Sequence, residues 1–186
     1  MADLRDEAKG LYHAGRYKEA CARYHILAEQ GDIQAQLMLG GMLAEGLGTE
    51  RDSAESEKWY KCAAQNGAPE AQHHLGYLSY QSQDYSSAHN WYREAASQGY
   101  LPALWRLAWL YRQGKGVPLD NSRAYALFDQ AAKAGHVFSK RDLALMLLRG
   151  HRGFLEVFRG LALLVRCILD GIQVVWKSDS NEKMKV

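Results

Sequence analysis

Trp91-Tyr92-Arg93-Glu94-Ala95-Ala96-Ser97-Gln98-Gly99 is the stretch on which the reading of this chain turns. Its two aromatics, paired alanines and closing glycine recur as Trp59-Tyr60-Lys61-Cys62-Ala63-Ala64-Gln65-Asn66-Gly67. They return more loosely from Leu127 to Gly135, and in worn form from Tyr24 to Gly31. The closing glycines Gly31, Gly67, Gly99, Gly135 and Gly171 stand 36, 32, 36 and 36 residues apart. A fixed spacing in this range marks stacked repeats, each unable to bury its apolar side alone.

Alignment on those glycines gives each column a physical role. Four residues after the glycine comes a small side chain (Ala35, Ala71, Ala103, Ser139), and eight after comes Leu39, Leu75, Leu107 or Leu143. Nine after stand Gly40, Gly76, Ala108 and Ala144, and eleven after stand Met42, Leu78, Leu110 and Met146. These spacings fall on one stripe of a helix, the first of each repeat. A second helix runs into the next glycine and carries Tyr24, Tyr60, Tyr92, Phe128 or Leu164 seven residues before it. Alanine pairs such as Ala63/Ala64 and Ala95/Ala96 lie one turn further on, so a large knob adjoins a small-residue seat. Glycine just past a helix C-terminus accepts the left-handed backbone found there. Pro69 and Pro102 open helices at positions where a missing N–H costs no bond.

Two kinds of turn join the helices of a repeat. Repeats two and four use Gly46-Leu47-Gly48-Thr49-Glu50-Arg51-Asp52 and Gly114-Lys115-Gly116-Val117-Pro118-Leu119-Asp120. Asp52 and Asp120 read as N-caps, and Asp52 with Glu55 has capping-box spacing. Repeats one and three turn on the shorter Gly15-Arg16-Tyr17 and Gln83-Asp84-Tyr85. The expected helix pairs are 3–13 with 17–30, 32–45 with 52–66, 69–81 with 85–98, 102–113 with 121–134, and 138–149 with 154–170. The domain reading is one solenoid over 3–171, with repeats at about 3–31, 32–67, 68–99, 100–135 and 136–171, then a polar, disordered tail over 172–186.

Composition agrees with a folded chain, at 47% hydrophobic and 24% charged residues. Cys21, Cys62 and Cys167 are odd in number and widely spaced, which argues against a disulfide framework and a C-x-x-C metal site. They favour a reducing compartment, read as cytoplasmic, and the start Met1-Ala2-Asp3-Leu4-Arg5-Asp6-Glu7 has no apolar run. A periplasmic location requires a signal already removed. The net charge of +2 divides unevenly: 9 Lys and Arg against 14 Asp and Glu through Gly99, then 14 against 7 beyond it. One half is acidic and the other basic, a distribution that steers a partner or arises by chance over solvated faces.

The string Gly-x-Gly-x-x-x-Asp, then Ala, then Trp-Tyr-x-x-Ala-Ala-x-x-Gly, resembles the Sel1-like repeat, a relative of the tetratricopeptide repeat. Repeats two and four carry the glycine loop, and repeats two and three carry the Trp-Tyr pair. The likeness is good over residues 32–135 and weaker over 3–31 and 136–171. It implies an all-α fold, a right-handed superhelical α-solenoid of about five helix-turn-helix repeats serving as adaptor or scaffold. Bacterial proteins of this appearance serve as assembly scaffolds, regulators of envelope or polysaccharide pathways, or immunity proteins against toxins. Paired cysteines found in some members are absent from this chain.

No catalytic constellation, cofactor motif or metal set stands out, and the reading is a non-enzymatic one. The Gly-x-Gly loops follow no strand and lack the Gly-Lys-Ser/Thr ending of a phosphate loop. Adjacent His73 and His74 diverge by about 100° on a helix and cannot share a metal. With the core stripe subtracted, the first helices present His73, His74, Tyr77 and Tyr80 in repeat three. Repeat four presents Trp105, Arg106, Trp109 and Arg112, and repeat five presents Arg141 with Asp142. First helices of such stacks line the concave surface, so these residues are expected in one groove that holds a partner protein or peptide. Tryptophan, tyrosine and arginine supply rigid area and planar donors of the kind that dominates binding hot spots. The alternative is that Trp105 and Trp109 pack between repeats as core. Replacing Trp109 and Arg112 by alanine is expected to abolish binding and spare the fold.

Residues 154–176 form the second region of interest, apolar over a wide arc but interrupted by Glu156, Arg159, Arg166, Asp170 and Gln173. These charges argue against a spanning helix. The segment is more apolar than a terminal cap requires. It reads as a packed cap or homodimer contact, or as a membrane-surface contact with Arg152, Arg159 and Arg166 at the headgroups. Nucleic acid has only the basic second half in its favour.

Overall fold

The computed structural model describes residues 2–149, 157–166 and 168–169. The tail at 172–186 and the closing Gly171 lie outside the described residues. Nine helices are bounded: α1 (Ala2–His13), α2 (Tyr17–Glu29), α3 (Ile33–Glu45), α4 (Ser53–Gln65), α5 (Pro69–Gln81), α6 (Tyr85–Ser97), α7 (Leu101–Gln113), α8 (Asn121–Lys133) and α9 (Val137–Leu148). Residues 157–166 and 168–169 are also helical, and no strand occurs among the described residues. The chain divides into two compact units, Met1–Tyr100 and Leu101–Val186, at the boundary between repeats three and four. Within the first, each helix from α1 to α6 packs on the next; within the second, α7 packs on α8 and α8 on α9.

The columns read from the sequence account for this packing. Large side chains of the second helices sit on the small seats of the first. A Cβ on Gly40 would stand 3.1 Å from the Tyr60 ring, and one on Gly76 only 2.6 Å from Tyr92. Tyr92 and Phe128 are wholly buried. Asp52 caps α4 by accepting from Ala54 and Glu55, and Asp120 caps α8 by accepting from Arg123. The reciprocal half of a capping box is not made at Asp52. Its N–H donates instead to Leu43 O at 3.0 Å, as that of Asp120 does to Tyr111 O at 2.9 Å, tying each loop back to the helix it leaves. Gly48 is required for space as well as conformation: at φ 76°, a Cβ there would lie 2.2 Å from the backbone carbon of Tyr17.

Two features were not legible in the columns. Gln36 and Gln72 are buried and donate to the carbonyls of Ala28 and Ala64, at 3.2 and 3.3 Å, bonding each first helix to the last turn of the preceding second helix. The short turns of repeats one and three place Gly15 and Gln83 at the same left-handed position, with φ 74° and 64°. Repeat three adds a cap from Asp84 to Ser87 N, whereas Arg16 makes no side-chain cap.

The described part of 154–176 packs as the second helix of repeat five. Gly160 lies against α9, where a Cβ would come within 3.0 Å of Ala144 O and 2.9 Å of Leu147. Arg159 donates to Tyr125 Oη and to Asp129 of α8, each at 3.0 Å. Among the described residues no helix is long and apolar enough to cross a membrane.

Candidate functional site

The nine candidate residues fall into two groups, four on α5 of the first unit and five on α7 and α9 of the second. In the second group, Trp105 and Trp109 are four apart on α7 and therefore share a face. Both indole N–H groups donate to Oδ2 of Asp142 on α9, at 2.7 and 2.9 Å. The other carboxylate oxygen accepts from Arg141, whose Nε and Nη2 lie 3.1 and 3.0 Å away. Asp142 is only 2% exposed. A carboxylate so buried persists because charge-assisted donors occupy its lone pairs. In return it fixes both indoles, which meet edge to face at 6.5 Å.

Other rings support the pair. Phe128 packs against Trp109 at 6.3 Å, and Phe138 and His136 stand 5.8 and 6.2 Å from Trp105. His136 also caps α9, its Nδ1 accepting from Ser139 N. That bond needs an unprotonated Nδ1, and burial holds the His136 pKa below the ordinary value. Outside this frame the guanidinium of Arg106 lies 4.7 Å from the Trp105 ring centre and that of Arg112 lies 4.9 Å from Trp109. Burial, and then the charge of Arg149, lower the pKa of Arg112, though a guanidinium remains charged. The product is a preformed aromatic platform, half-exposed, with guanidinium groups around it and one buried carboxylate beneath.

The α5 group is differently disposed. His74 stacks on Tyr60, with ring centres 3.8 Å apart and planes at 20°, and burial holds its pKa down. His73 lies 5.6 Å from Tyr92 and 5.5 Å from Tyr100, so the two histidines diverge as helical geometry demands. Tyr80 meets Tyr85 edge to face at 5.2 Å. His73, His74 and Tyr80 meet neighbouring rings, and Tyr77 is the exposed member, its hydroxyl accepting from Gln81 Nε2.

Two expectations require correction. Asp142 does not line a surface beside Arg141; it is the buried acceptor that organises the tryptophans. The indoles are neither pure surface nor pure core, since both are half-buried members of the apolar cluster around Phe128 and Leu143. Trp109→Ala therefore cannot spare the fold, because it opens a cavity and strips a donor from a buried charge. The positions seven after the other closing glycines hold Met38, His74 and Arg106, so Asp142 departs from its column, a departure that a single chain gives no weight.

Helix-turn-helix pairs at a constant period, with knobs on small-residue seats, define an α-solenoid repeat protein. This chain belongs to the Sel1 repeat family, whose repeat matches residues 33–67, 69–100 and 101–136, more than half of its length. It is 34% identical over 127 residues to an uncharacterized protein of Neisseria meningitidis, a match covering 67% of this chain and 26% of that one. A chitin synthase regulator of Saccharomyces cerevisiae is 33% identical over 157 residues, covering 77% of this chain and 23% of the regulator. An exopolysaccharide production negative regulator of Rhizobium meliloti is 31% identical over 150 residues, covering 78% and 48%. The chain thus spans from about a quarter to about half of the curated relatives it matches. Among solved structures, a Sel1 repeat protein from Oxalobacter formigenes superposes with a TM-score of 0.82 at 27% identity, covering 92% of this chain and 70% of that one.

Proposed function

We propose that this chain is a non-enzymatic protein-interaction module, and that the α7–α9 platform is where a partner protein or peptide docks. The observation that carries the reading is the double indole bond to Asp142. Holding two half-buried indoles rigid before a partner arrives removes side-chain ordering from the cost of association. Arg106 and Arg112, stacked on those faces, add planar donors to rigid apolar area, the pairing found at energetic centres of interfaces. Sel1 repeats typically serve protein–protein interaction or regulation, and two relatives are regulators by name. A regulatory or adaptor role within a larger assembly follows most simply. Tyr77, exposed on α5, is a further contact candidate in the first unit.

The test is affinity capture of a partner from an extract of the source cells, comparing the native chain with Arg106→Ala/Arg112→Ala. Loss of the captured protein with an unchanged melting temperature supports the reading. Undiminished capture by the double variant overturns it.

A further inference from the structure

The second helices of the repeats share a column that is polar almost throughout, half-exposed to exposed in repeats one to three and covered at Tyr125 and Asp129 in repeat four, where Arg159 packs on it. Counted back ten, six and two residues from the closing glycine, it reads Cys21, His25, Glu29; then Glu57, Lys61, Gln65; then His89, Arg93, Ser97; then Tyr125, Asp129, Lys133. Polar pairs four apart decorate it, with His25–Glu29 at 3.4 Å and the ion pairs Glu57–Lys61 and Asp129–Lys133 at 2.7 Å. In repeat five the same column is Leu161, Val165 and Leu169. The register is secure, because Gly160 lies against Ala144 O as its counterpart Ser56 bonds Gly40 O. With Phe158 and Ile168 these side chains form a solvent-facing stripe, each 50–60% exposed. The helix therefore packs on α9 through one face and is apolar on another, where the first three repeats place mostly polar side chains.

Beside the stripe lies a basic hollow. Among the described residues Lys133, Lys140, Arg159 and Arg166 line it, with Asp129 as the acidic one. Asp129 is engaged by Lys133 at 2.7 Å and by Arg159 at 3.0 Å, so the described lining residues carry a net positive charge. Arg159 and Arg166 are seven residues apart, about two helical turns, and so stand on the same flank of the helix. An apolar stripe edged by cations matches an anionic bilayer surface, which offers acyl chains beneath and phosphates above. A second copy of the chain fits less well. The flanks that would meet across such a contact carry like charge, from Lys133, Lys140, Arg159 and Arg166.

We infer that the outer face of the helical residues 157–166 and 168–169, with the hollow at Arg159 and Arg166, docks on anionic lipid headgroups. This surface is independent of the partner platform on α7 and α9. The test is co-sedimentation of the full chain with vesicles of phosphatidylcholine alone or mixed with phosphatidylglycerol, over a salt series. The expected result is binding to the anionic vesicles only, weakening as salt rises. Leu161→Gln/Val165→Gln should abolish binding. Arg166→Glu should weaken it about thirtyfold, the loss expected when one basic residue near an anionic surface is reversed. All three substituted side chains face solvent, so the variants should keep the native circular dichroism spectrum, which is measured alongside. Failure of the native chain to bind either vesicle overturns the inference, as does undiminished binding by the apolar double variant. A dimer in sedimentation velocity that the double variant dissolves, without any vesicle binding, overturns it in favour of self-association.

Discussion

The Nε1 of Trp105 on α7 donates to the same oxygen of Asp142 on α9 that accepts from Trp109, so one buried carboxylate couples the first helices of two consecutive repeats. Asn at this position keeps the shape but retains one carbonyl oxygen for donors that now use two. The NH₂ group also faces an N–H or a guanidinium. Asp142→Asn should cost about 1–3 kcal/mol, seen as a fall in melting temperature of about 2–4 °C per kcal/mol for a chain of this size. Tryptophan emission should shift to the red as the indoles loosen. An unchanged melting temperature and spectrum would show that the carboxylate is not what holds them.

The short turns offer a reciprocal pair of substitutions. Gln83 occupies a left-handed backbone conformation, φ 64°, that Gly15 occupies without a Cβ penalty in repeat one. Gln83→Gly should stabilise the fold by about 0.5–1 kcal/mol, the relief of strain exceeding the added freedom of the unfolded chain. Gly15→Gln should have the opposite sign. Chemical denaturation of both variants checks the difference.

Repeat two contains a buried amide left half satisfied. Gln98 donates to Oε1 of Gln72 at 2.8 Å, but the residue in the same column of repeat two is Asn66, which donates to Cys62 O instead. Oε1 of Gln36 consequently has no donor among the described residues. Asn66→Gln adds the missing methylene and should raise stability by about 1 kcal/mol. The gain should vanish in a Gln36→Leu background if the new bond is its source.

Stability should fall as pH drops through the histidine range. His74 and His136 have pKa values depressed by burial, so the unfolded chain binds more protons and acid favours it. Their contribution is complete above the ordinary value of 6.5 and is lost progressively as pH falls below it. The depressed carboxylates Asp32 and Asp84 begin to protonate only near their ordinary 3.8, well below this window. Denaturation midpoints at pH 7.5 and 5.5 should therefore differ. His136→Asn, which retains an N-cap, should reduce the difference.

Helix positions were legible because the repeat encodes them several times over. The columns of Leu39, Leu75, Leu107 and Leu143, and the aromatics that meet Gly40 and Gly76, locate every bounded helix to within about one residue. Single-copy features were not. Asp142, His136 and Phe138 organise the platform, yet each breaks its column instead of obeying it, and one aligned chain gives such departures no weight. Gly160 escaped notice for a similar reason: the tight approach to Ala144 is a property of two helices, whereas glycine in one helix reads only as a weak former. The arginines at Arg106, Arg112 and Arg141 were legible as candidates for recognition. Their division of labour was not, because Arg141 neutralises a buried charge while the other two lie on ring faces.

The most direct measurement of the central claim is site-specific photo-crosslinking in the source cells. A photoreactive side chain placed at Arg112, on the platform, is compared with one at Gln130, exposed on α8. A partner protein should be captured from position 112 and not from position 130. Capture from position 130 alone, or from neither, would contradict the assignment of the Trp105–Trp109 platform as the docking surface.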